Sequence, residues 1–304
     1  MDVAIRREFH RFEKFLASRT DEKGIASFRD ELYNRIQHIA DLIEQSDRPE
    51  ELEAEFFKSF SRFDVSPVHR RARQKPMGYA GDFLLIDWIY TRHTAKDPQG
   101  RFFDSLFHSY EAAKSVRNRK RYFIRKCLDL AKSRKSRIDI LNIGCGPCRD
   151  ILETLQALPS NAHVFFHCVD NEQAAIDYAK TLLNGKLDTS RVTLECANCF
   201  KLQSDRHYDL IWSAGLFDYL DERIAKILLK RMWRLLKEDG QIIFGNFSPK
   251  NPTRRGMELG CHWNLLHRTA GELISLCRET RIPFRELEIE SEPLDINLFC
   301  IIQK

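Results

Sequence analysis

The sequence predicts an α/β protein in which an all-helical N-terminal region precedes a mostly parallel sheet covered by helices on both faces. Three observations support this prediction. The first third of the chain spaces its apolar residues at helical intervals, strand-like and helix-like segments alternate from about residue 137, and the last two segments are both strand-like. Such alternation is typical of a sheet whose ligands bind at the carboxyl ends of its strands.

The bulk composition is that of a folded and mildly basic protein. The 304 residues are 43% hydrophobic, enough for a sizeable core in one or two domains. The net charge of +5 permits an acidic ligand but does not indicate nucleic acid as a partner. The N-terminus lacks the apolar segment of a signal peptide, and no run of residues could span a membrane. Nine cysteines in such a chain are typical of reduced thiols in the cytoplasm.

Residues 1–125 are predicted to form a helical domain that acts as a lid and lines the substrate site. The stretch "IRREFHRFEKFLASR" spaces Ile5, Phe9, Phe12 and Phe15 or Leu16 at helical intervals, and "FRDELYNRIQHIADLIEQ" repeats the spacing. The stretch "SDRPEELEAEFFKSFSRF" begins with a helix cap and a proline. The helical pattern breaks at the glycines of "KPMGYAGDF" and then resumes as an apolar helix.

Residues 126–304 are predicted to form a seven-stranded, Rossmann-like sheet domain. Its strands are, in order, "RIDILNIGCG", "HVFFHCVD", "RVTLECAN", "YDLIWSAG", "QIIFGNF", "FRELEIESE" and "INLFCIIQ", of which the last two form an antiparallel pair. Amphipathic helices are predicted between most of them, and the longest, "ERIAKILLKRMWRLLKEDG", is predicted to stop at its glycine. The carboxyl ends of these strands are therefore where we expect the ligand.

The stretch "LNIGCGPCRD" carries two signatures at once. Gly144 and Gly146, at a strand-to-helix turn, would let the backbone approach a nucleotide-like cofactor, whereas Cys145 and Cys148 form a C-G-P-C dithiol. The run of strand–helix units that follows, and the lack of a tryptophan before the dithiol, favour the glycine interpretation. A zinc site shared with the second C-x-x-C pair, which begins at Cys196, is disfavoured by the long spacing, so no metal is expected.

The cofactor predicted from this loop has an adenosine but no pyrophosphate. The stretch "GCGPCRD" lacks the third glycine that lets a helix start close to a pyrophosphate. Asp170 ends the second strand, where a carboxylate can take both ribose hydroxyls. From about Ser136 onwards the chain resembles the class I S-adenosylmethionine-dependent methyltransferases. The resemblance implies cofactor contacts from Gly144, Cys145, Gly146, Asp170, Asn171, Asn198, Cys199, Ser213, Ala214 and Gly215.

Three longer stretches resemble a narrower bacterial family. They are "KPMGYAGDF" (75–83), "SAGLFDYL" (213–220) and "GNFSPKNPTRRGMELGCHWNLLHRT" (245–269). Together they are similar to the methyltransferases that make the 3-hydroxypalmitic acid methyl ester extracellular factor, a quorum-sensing signal. The resemblance implies carboxyl O-methylation of a 3-hydroxy fatty acid, free or bound to an acyl carrier protein. Methylation of an oxygen or nitrogen on another secondary metabolite, or of a protein side chain, is the alternative.

The acceptor group determines which side chains the reaction needs. An ionised carboxylate needs alignment with the methyl group and exclusion of water, whereas a hydroxyl also needs a general base. We expect catalytic roles for Tyr79, Arg254, His262 and His267, because arginine holds a carboxylate and histidine can orient it or act as a base. Tyr79 and Asp82 are also expected to reach the cofactor, with a helix-capping role for Asp82 as the alternative.

The remaining candidates are contacts to the substrate and to the cofactor's amino-acid tail. Arg119, in the basic run "RNRKR", is expected to reach the methionine carboxylate, while the other charges of the run form a solvated face or a patch for an acidic carrier protein. A core position for Phe217 and a capping role for Asp218 are the alternatives at that loop. The oligomeric state stays open, a homodimer included. The expected substrate contacts are Phe217, Tyr219, Asn251, Trp263 and Arg268.

Overall fold

The computed structural model describes residues 2–18, 24–134, 136–184 and 189–304. The chain divides into two compact units, residues 1–114 with 251–264 and residues 115–250 with 265–304. The division differs from the predicted boundary at residue 125, because the chain leaves the first unit inside a helix that continues without a break from Glu111 to Ser133. No composition change or glycine marks that point in the sequence.

The first unit is helical, as predicted. Within it, Phe56 and Phe60 pack against Phe12, with ring centroids 4.9 to 5.0 Å apart, and all three rings are buried. Its elements are α1 (Asp2–Ala17), α2 (Ile25–Glu44), α3 (Pro49–Ser59), a 3₁₀ helix (Phe60–Val65), α4 (Pro67–Gln74), α5 (Phe83–Thr91), α6 (Pro98–Ser109), the start of α7 (Glu111–Ser133) and α11 (Arg254–Cys261).

The segment 251–264 belongs to the first unit, although the sequence places it between two parts of the sheet domain. Within the first unit, Gly260 of α11 lies so close to the ring of Phe60 that a Cβ there would be 2.9 Å from it. Gly256, one turn earlier, faces Ile36. The side of α11 that carries Gly256 and Gly260 therefore packs on the helices of the first unit. This packing explains why a segment predicted to be a loop of the sheet domain belongs to the helical unit.

The second unit contains the predicted seven-stranded sheet. Its order is β3-β2-β1-β4-β5-β7-β6, with β7 antiparallel to both neighbours and the other pairs parallel. The strands are β1 (Ile138–Ile143), β2 (Val164–Asp170), β3 (Val192–Cys196), β4 (Tyr208–Ser213), β5 (Leu236–Phe247), β6 (Glu286–Ser291) and β7 (Asn297–Gln303). The helices are the remainder of α7, then α8 (Arg149–Ala157), α9 (Gln173–Leu183), α10 (Glu222–Arg234) and α12 (Ala270–Glu279). The strand order reverses between β1 and β4, so the ligand crevice is expected at their carboxyl ends.

Both faces of the sheet are buried, which explains the continuous apolar strands. One core cluster holds Ile140 with residues of α7, α8 and α9, and the other holds Leu141 with residues of α10 and α12. Consecutive residues of β1 thus point to opposite faces, as strand geometry requires. Among the described helices, none is both long enough and apolar enough to cross a membrane.

The predicted glycine stop of the long helix is wrong. Helix α10 ends at Arg234, and the following residues already belong to β5, which begins at Leu236. Leu236 is fully buried and pairs with Tyr208 of β4, before a register shift that precedes Leu210. The helical periodicity of the sequence continues past Arg234, but pairing with a neighbouring strand overrides it.

Candidate functional site

The loop after β1 is shaped by glycines and held by the end of β2. Gly144 and Gly146 have φ angles of 66° and 53°, which favour glycine because a side chain would be strained there. The N–H groups of Gly144 and Cys145 both donate to the carbonyl of Val169, over 2.8 and 3.2 Å. The backbone therefore turns sharply at the carboxyl end of β1, as the sequence predicted, and presents an exposed Gly144.

Asp170, the last residue of β2, supports this loop directly. Its Oδ2 accepts the N–H of Gly146 at 2.9 Å, and its Oδ1 accepts the N–H of Glu172 at 3.0 Å. The side chain is 9% exposed, and burial raises the pKa of its carboxyl above the ordinary value, although the two backbone donors oppose that shift. Each carboxylate oxygen has a second lone pair, so Asp170 can still accept from two hydroxyl groups.

The residues expected to lie near adenine follow β2 and β3. Asn171 and Asn198 are exposed, and Cys199 is half-buried. Asn198 Oδ1 accepts the N–H of Phe200 at 2.8 Å, so this side chain shapes the turn after β3. Burial raises the pKa of Cys199 to about 11, which leaves a neutral thiol beside the turn. Direct contact of these residues with a cofactor stays a prediction.

The end of β4 is tied to β1 and leaves room for a guanidinium. Ser213 is fully buried, and its Oγ donates to the carbonyl of Ile143 at 3.0 Å. A Cβ on Gly215 would lie 2.9 Å from Nη1 and 3.1 Å from Nη2 of Arg119. Because residue 215 is a glycine, the Arg119 side chain can lie at this edge of the sheet.

Arg119 is a buried cation with an incomplete set of hydrogen bonds. It is 6% exposed, and its Nε has no hydrogen-bond partner within the described part of the chain. Two acids lie near enough for its charge to lower their pKa values. Burial outweighs that effect and raises the pKa of Asp150 to about 6 and that of Asp218 to about 7. A buried, unsatisfied guanidinium nitrogen is costly, so the arrangement favours an anionic ligand.

The sequence missed Asp150 and Asp218 as members of this site. Asp150 directly follows the glycine loop, and Asp218 follows β4, so both were visible as acids after neighbouring strands. The capping alternative for Asp218 is wrong, because Asp221 caps α10 by accepting the N–H of Ile224. Instead, Oδ1 of Asp218 accepts the N–H of Phe247 on β5 at 2.7 Å.

Two residues that were expected to contact the substrate, Phe217 and Arg268, have structural roles instead. Phe217 is fully buried and stacks on Phe244 with centroids 4.1 Å apart, so the core alternative holds. Arg268 is 7% exposed and donates to Asn246 Oδ1 at 2.7 Å and to the Phe217 carbonyl at 2.9 Å. It also donates to the Leu220 carbonyl at 2.5 Å. Arg268 therefore holds the turn after β4 in place and has little capacity left for a substrate.

Four of the expected catalytic and substrate residues lie in the first unit, on the segment 251–264. Arg254 pairs with Glu258 at 2.7 Å, and Asn251 accepts the N–H of Thr253 at 3.0 Å. His262 stacks on a phenylalanine ring of α3, with centroids 4.2 Å apart, and burial, with nearby cations, lowers its pKa. Trp263 is also buried there. His267 and Arg268 belong to the second unit, so the motif does not form one cluster within a single unit.

Tyr79 and Asp82 also lie in the first unit. Oδ1 of Asp82 accepts the N–H groups of Leu84 and Leu85, at 3.1 and 2.9 Å, and the Nε of Arg71 at 2.8 Å. Asp82 is 1% exposed, so its observed role is the helix-capping alternative rather than the expected cofactor contact. Tyr79 is 39% exposed, and its role stays a prediction.

The cysteines of the glycine loop are inert thiols in this structure. Cys145, Cys148 and Cys168 are all buried, and Cys145 Sγ lies 4.0 Å from the carbonyl of Gly146. The neighbouring thiols and burial hold the pKa of each well above its usual value. A redox-active or zinc-binding cysteine needs the opposite, a stabilised thiolate. The geometry thus favours the packing interpretation of C-G-P-C.

In the native protein, we expect a thiol-specific disulfide reagent at pH 8 to modify Cys196 before any other cysteine. All nine cysteines lie in the described ranges, and Cys196 is the exposed one. In the Cys196→Ser variant, the fast phase of thiol modification should be lost and the slow phases should remain. Rapid labelling of Cys145 or Cys148, located by peptide mass mapping, would restore the redox interpretation.

Comparisons with known proteins agree with this geometry. Residues 140–240 match the family model described as "Methyltransferase domain". A malonyl-[acyl-carrier protein] O-methyltransferase of Bacillus anthracis is 30% identical over 139 residues, 46% of this chain and 48% of that protein. The corresponding protein of Priestia megaterium is 26% identical over 183 residues, 55% of this chain and 62% of that protein.

The chain spans about half the length of most of the curated relatives it matches. A solved structure from Bordetella parapertussis, described as a possible exported protein, superposes with a TM-score of 0.61 at 18% identity. The superposition covers 79% of this chain and 95% of that one. At 18% sequence identity, this similarity is evidence for a shared fold and for nothing more.

Proposed function

We propose that this chain, in which residues 140–240 form a methyltransferase domain, transfers a methyl group from S-adenosylmethionine to the carboxylate of an acyl substrate. The observation that carries the proposal is the buried guanidinium of Arg119, held against Gly215 with its Nε unsatisfied. The carboxylate of the cofactor's amino-acid tail is the anion that fits this position. The cofactor, when bound, supplies a methyl group already activated on a sulfonium.

Each part of the cofactor has a matching group in the second unit. Asp170 would accept the ribose hydroxyls while it holds the Gly146 amide. The exposed backbone at Gly144 permits close approach of the ligand. Asn198 and Cys199, on the turn after β3, would lie against the adenine. With Arg119 for the carboxylate of the tail, these groups would account for the ribose, the adenine and one end of the amino-acid tail.

The acceptor side rests on the curated relatives and on an apolar surface. The curated relatives are O-methyltransferases of malonyl-[acyl-carrier protein]. Here Tyr219 and Leu266 are each 43% exposed, and the Leu266 N–H donates to the Asp218 carbonyl at 2.8 Å, so the two segments adjoin. We propose a fatty or 3-hydroxy fatty acid with a free carboxylate as substrate, whose chain would cover these side chains. A carrier-bound substrate would need a second, free carboxylate, as a malonyl group has, because the thioester occupies the other carboxyl.

His267 is the titratable candidate on the acceptor side of the second unit. Its Nδ1 donates to the Leu265 carbonyl at 3.0 Å, which places the ring proton on Nδ1 and makes Nε2 the basic nitrogen. An ionised carboxylate acceptor needs only orientation from this ring, whereas a hydroxyl acceptor would use it as a base. The same residue thus serves the proposed reaction and its alternative, and the product distinguishes them.

The decisive experiment is to identify the methylated product and the lability of its methyl group. The purified protein is incubated with S-adenosylmethionine and one acceptor at a time: free 3-hydroxy fatty acids, malonyl-carrier or, as a control without a free carboxylate, a 3-hydroxyacyl-carrier. We expect a product 14 Da heavier whose methyl group mild alkali releases as methanol, because a methyl ester hydrolyses under those conditions and an ether or N-methyl group does not. Arg119→Ala should lower affinity for S-adenosylhomocysteine by about 10- to 100-fold, the loss of one charge-assisted contact.

An alkali-stable methyl group would instead assign an ether or an N-methyl product and favour another secondary metabolite or a protein side chain. Arg285→Ala is the matched control for loss of an arginine, because Arg285 forms an exposed ion pair with Asp239 in the second unit. Unchanged cofactor affinity in Arg119→Ala would contradict the assignment of Arg119.

A further inference from the structure

One face of helix α7 is hydrogen-bonded to the two closing strands of the sheet, and Arg119 lies on that face. Residues three or four apart along a helix share one side, and the row formed by Ser115, Arg119, Tyr122 and Lys126 has this spacing. Ser115 is bonded to β7, whereas Tyr122 and Lys126 are bonded to β6. Arg119 is therefore carried by a helix face that the closing strands hold.

One of these bonds, between Asn297 and Ser115, lies one helical turn before Arg119. Asn297 is the first residue of β7, and its Nδ2 donates to Ser115 Oγ over 2.6 Å. Both side chains are fully buried. After Arg119, the hydroxyl of Tyr122 donates to Oε2 of Glu290 on β6 at 2.7 Å. Arg119 therefore lies between two points at which α7 is fixed to the sheet.

Asn297 also lies at the edge of the sheet that the Arg119 guanidinium reaches. Gly245 of β5 lies between Asn297 and the end of β4, because a Cβ on Gly245 would be 3.6 Å from Asn297 Oδ1 and would overlap the carbonyl oxygen of Ala214. The residue after Ala214 is the glycine against which Arg119 lies. The bond from Asn297 to Ser115 thus fixes α7 relative to the strand ends where the guanidinium must be placed.

The hydrogen bonding of the Asn297 amide favours a role in position over a role in stability. Its Oδ1 is buried and accepts no hydrogen bond within the described residues. A buried oxygen without a donor costs at least as much as one hydrogen bond contributes net, so the amide as a whole adds little stability. A leucine of nearly the same size would avoid that cost. What the amide provides is a fixed distance between β7 and α7, one turn before Arg119.

We propose that Asn297 is a positioning residue for the cofactor's carboxylate, because through Ser115 it places α7 so that the Arg119 guanidinium lies at Gly215. The inference rests on the proposed function, which puts that carboxylate at Arg119. The charge-assisted hydrogen bonds of a guanidinium depend on its orientation, so a small shift of α7 weakens them. The ribose, which the proposed function places at Asp170 on β2, does not depend on this part of α7.

Calorimetric titration of Asn297→Leu with two ligands tests this role. Affinity for S-adenosylhomocysteine should fall about 5- to 10-fold, whereas affinity for 5′-methylthioadenosine, which lacks the amino-acid tail, should stay at the wild-type value. Ser115→Ala removes the acceptor of the same bond and should give the same result, and it decides the question if the leucine variant does not fold. Lys126→Met is the matched control, because it breaks the ion pair with Glu290 two turns beyond Arg119 and should leave both affinities unchanged.

A double variant shows whether Asn297 acts through Arg119. Arg119→Ala combined with Asn297→Leu should bind S-adenosylhomocysteine as Arg119→Ala alone does, because the contact that Asn297 positions is already lost. Additive losses, equal losses for the two ligands, or wild-type affinity in both Asn297→Leu and Ser115→Ala would overturn the inference. Wild-type affinity in Arg119→Ala, or no binding of S-adenosylhomocysteine by the unchanged protein, would overturn the proposed function instead, so the two failures are distinguishable.

Discussion

Replacement of Asp170 by alanine is expected to weaken binding of S-adenosylhomocysteine by about 100-fold or more. Loss of two hydrogen bonds to a charged group costs about 3 kcal/mol or more, and about 1.4 kcal/mol corresponds to tenfold in affinity. The variant also leaves the N–H groups of Gly146 and Glu172 without their acceptor, so the glycine loop loses its support. Calorimetric titration measures the change in affinity.

Two controls separate the ligand contact from the support of the loop. Asp177→Ala removes an exposed carboxylate of α9 and should leave affinity unchanged. Asp170→Asn keeps an acceptor for one of the two N–H groups, so it should retain more stability than Asp170→Ala while still losing affinity. Wild-type affinity in Asp170→Ala would mean that the ribose is not held at the end of β2.

Replacement of Arg268 by alanine is expected to lower the free energy of unfolding by about 3–5 kcal/mol, because three buried oxygens lose their donor and each unsatisfied group costs about 1–3 kcal/mol. The Phe217 and Leu220 carbonyls and Asn246 would lose their shared donor. Asp218 would lose one of its two facing cations, so the pKa of its carboxyl should rise further. Urea denaturation followed by circular dichroism measures the change.

Arg254→Ala is the matched control for this prediction. Arg254 forms an exposed ion pair with Glu258, and loss of such a pair typically changes stability by about 1 kcal/mol or less. If Arg268→Ala were as stable as this control but had a raised KM for the acid substrate, Arg268 would be a substrate contact after all. A lower stability with an unchanged KM for the acid would support the positioning role.

The glycine loop after β1 and the acid at the end of β2 were predictable because their signals are local. Gly144 and Gly146 are needed for their own backbone angles, and Asp170 is placed simply by being the end of a strand. Parallel strands bring their carboxyl ends to one edge, so residues far apart in sequence share the site as soon as the strand order is known. The prediction that Arg119 meets an anion also agrees with its unsatisfied Nε.

The acceptor half was less predictable because its residues are assigned by packing. Phe217, expected in a pocket wall, stacks on Phe244 in the core, and Arg268 donates to carbonyls of a turn 48 to 51 residues earlier. Nothing in "LFDYL" or "LLHRT" distinguishes a buried side chain from one that faces a ligand. For the same reason the sequence did not show where α10 ends. Leu236 fits the helical pattern of the sequence, but in the structure it pairs with Tyr208 of β4.

The amino-acid sequence by itself determined the α/β fold class, the antiparallel closing strands, the glycine loop and the acid at the end of β2. These features depend on periodicity, on backbone angles and on position within one element. Only the tertiary structure decided that 251–264 joins the helical unit and that Asp218 accepts the N–H of Phe247 instead of capping α10. Packing joins residues that are distant along the chain, and burial raises the pKa of Asp218, although the charges of Arg119 and Arg268 lower it.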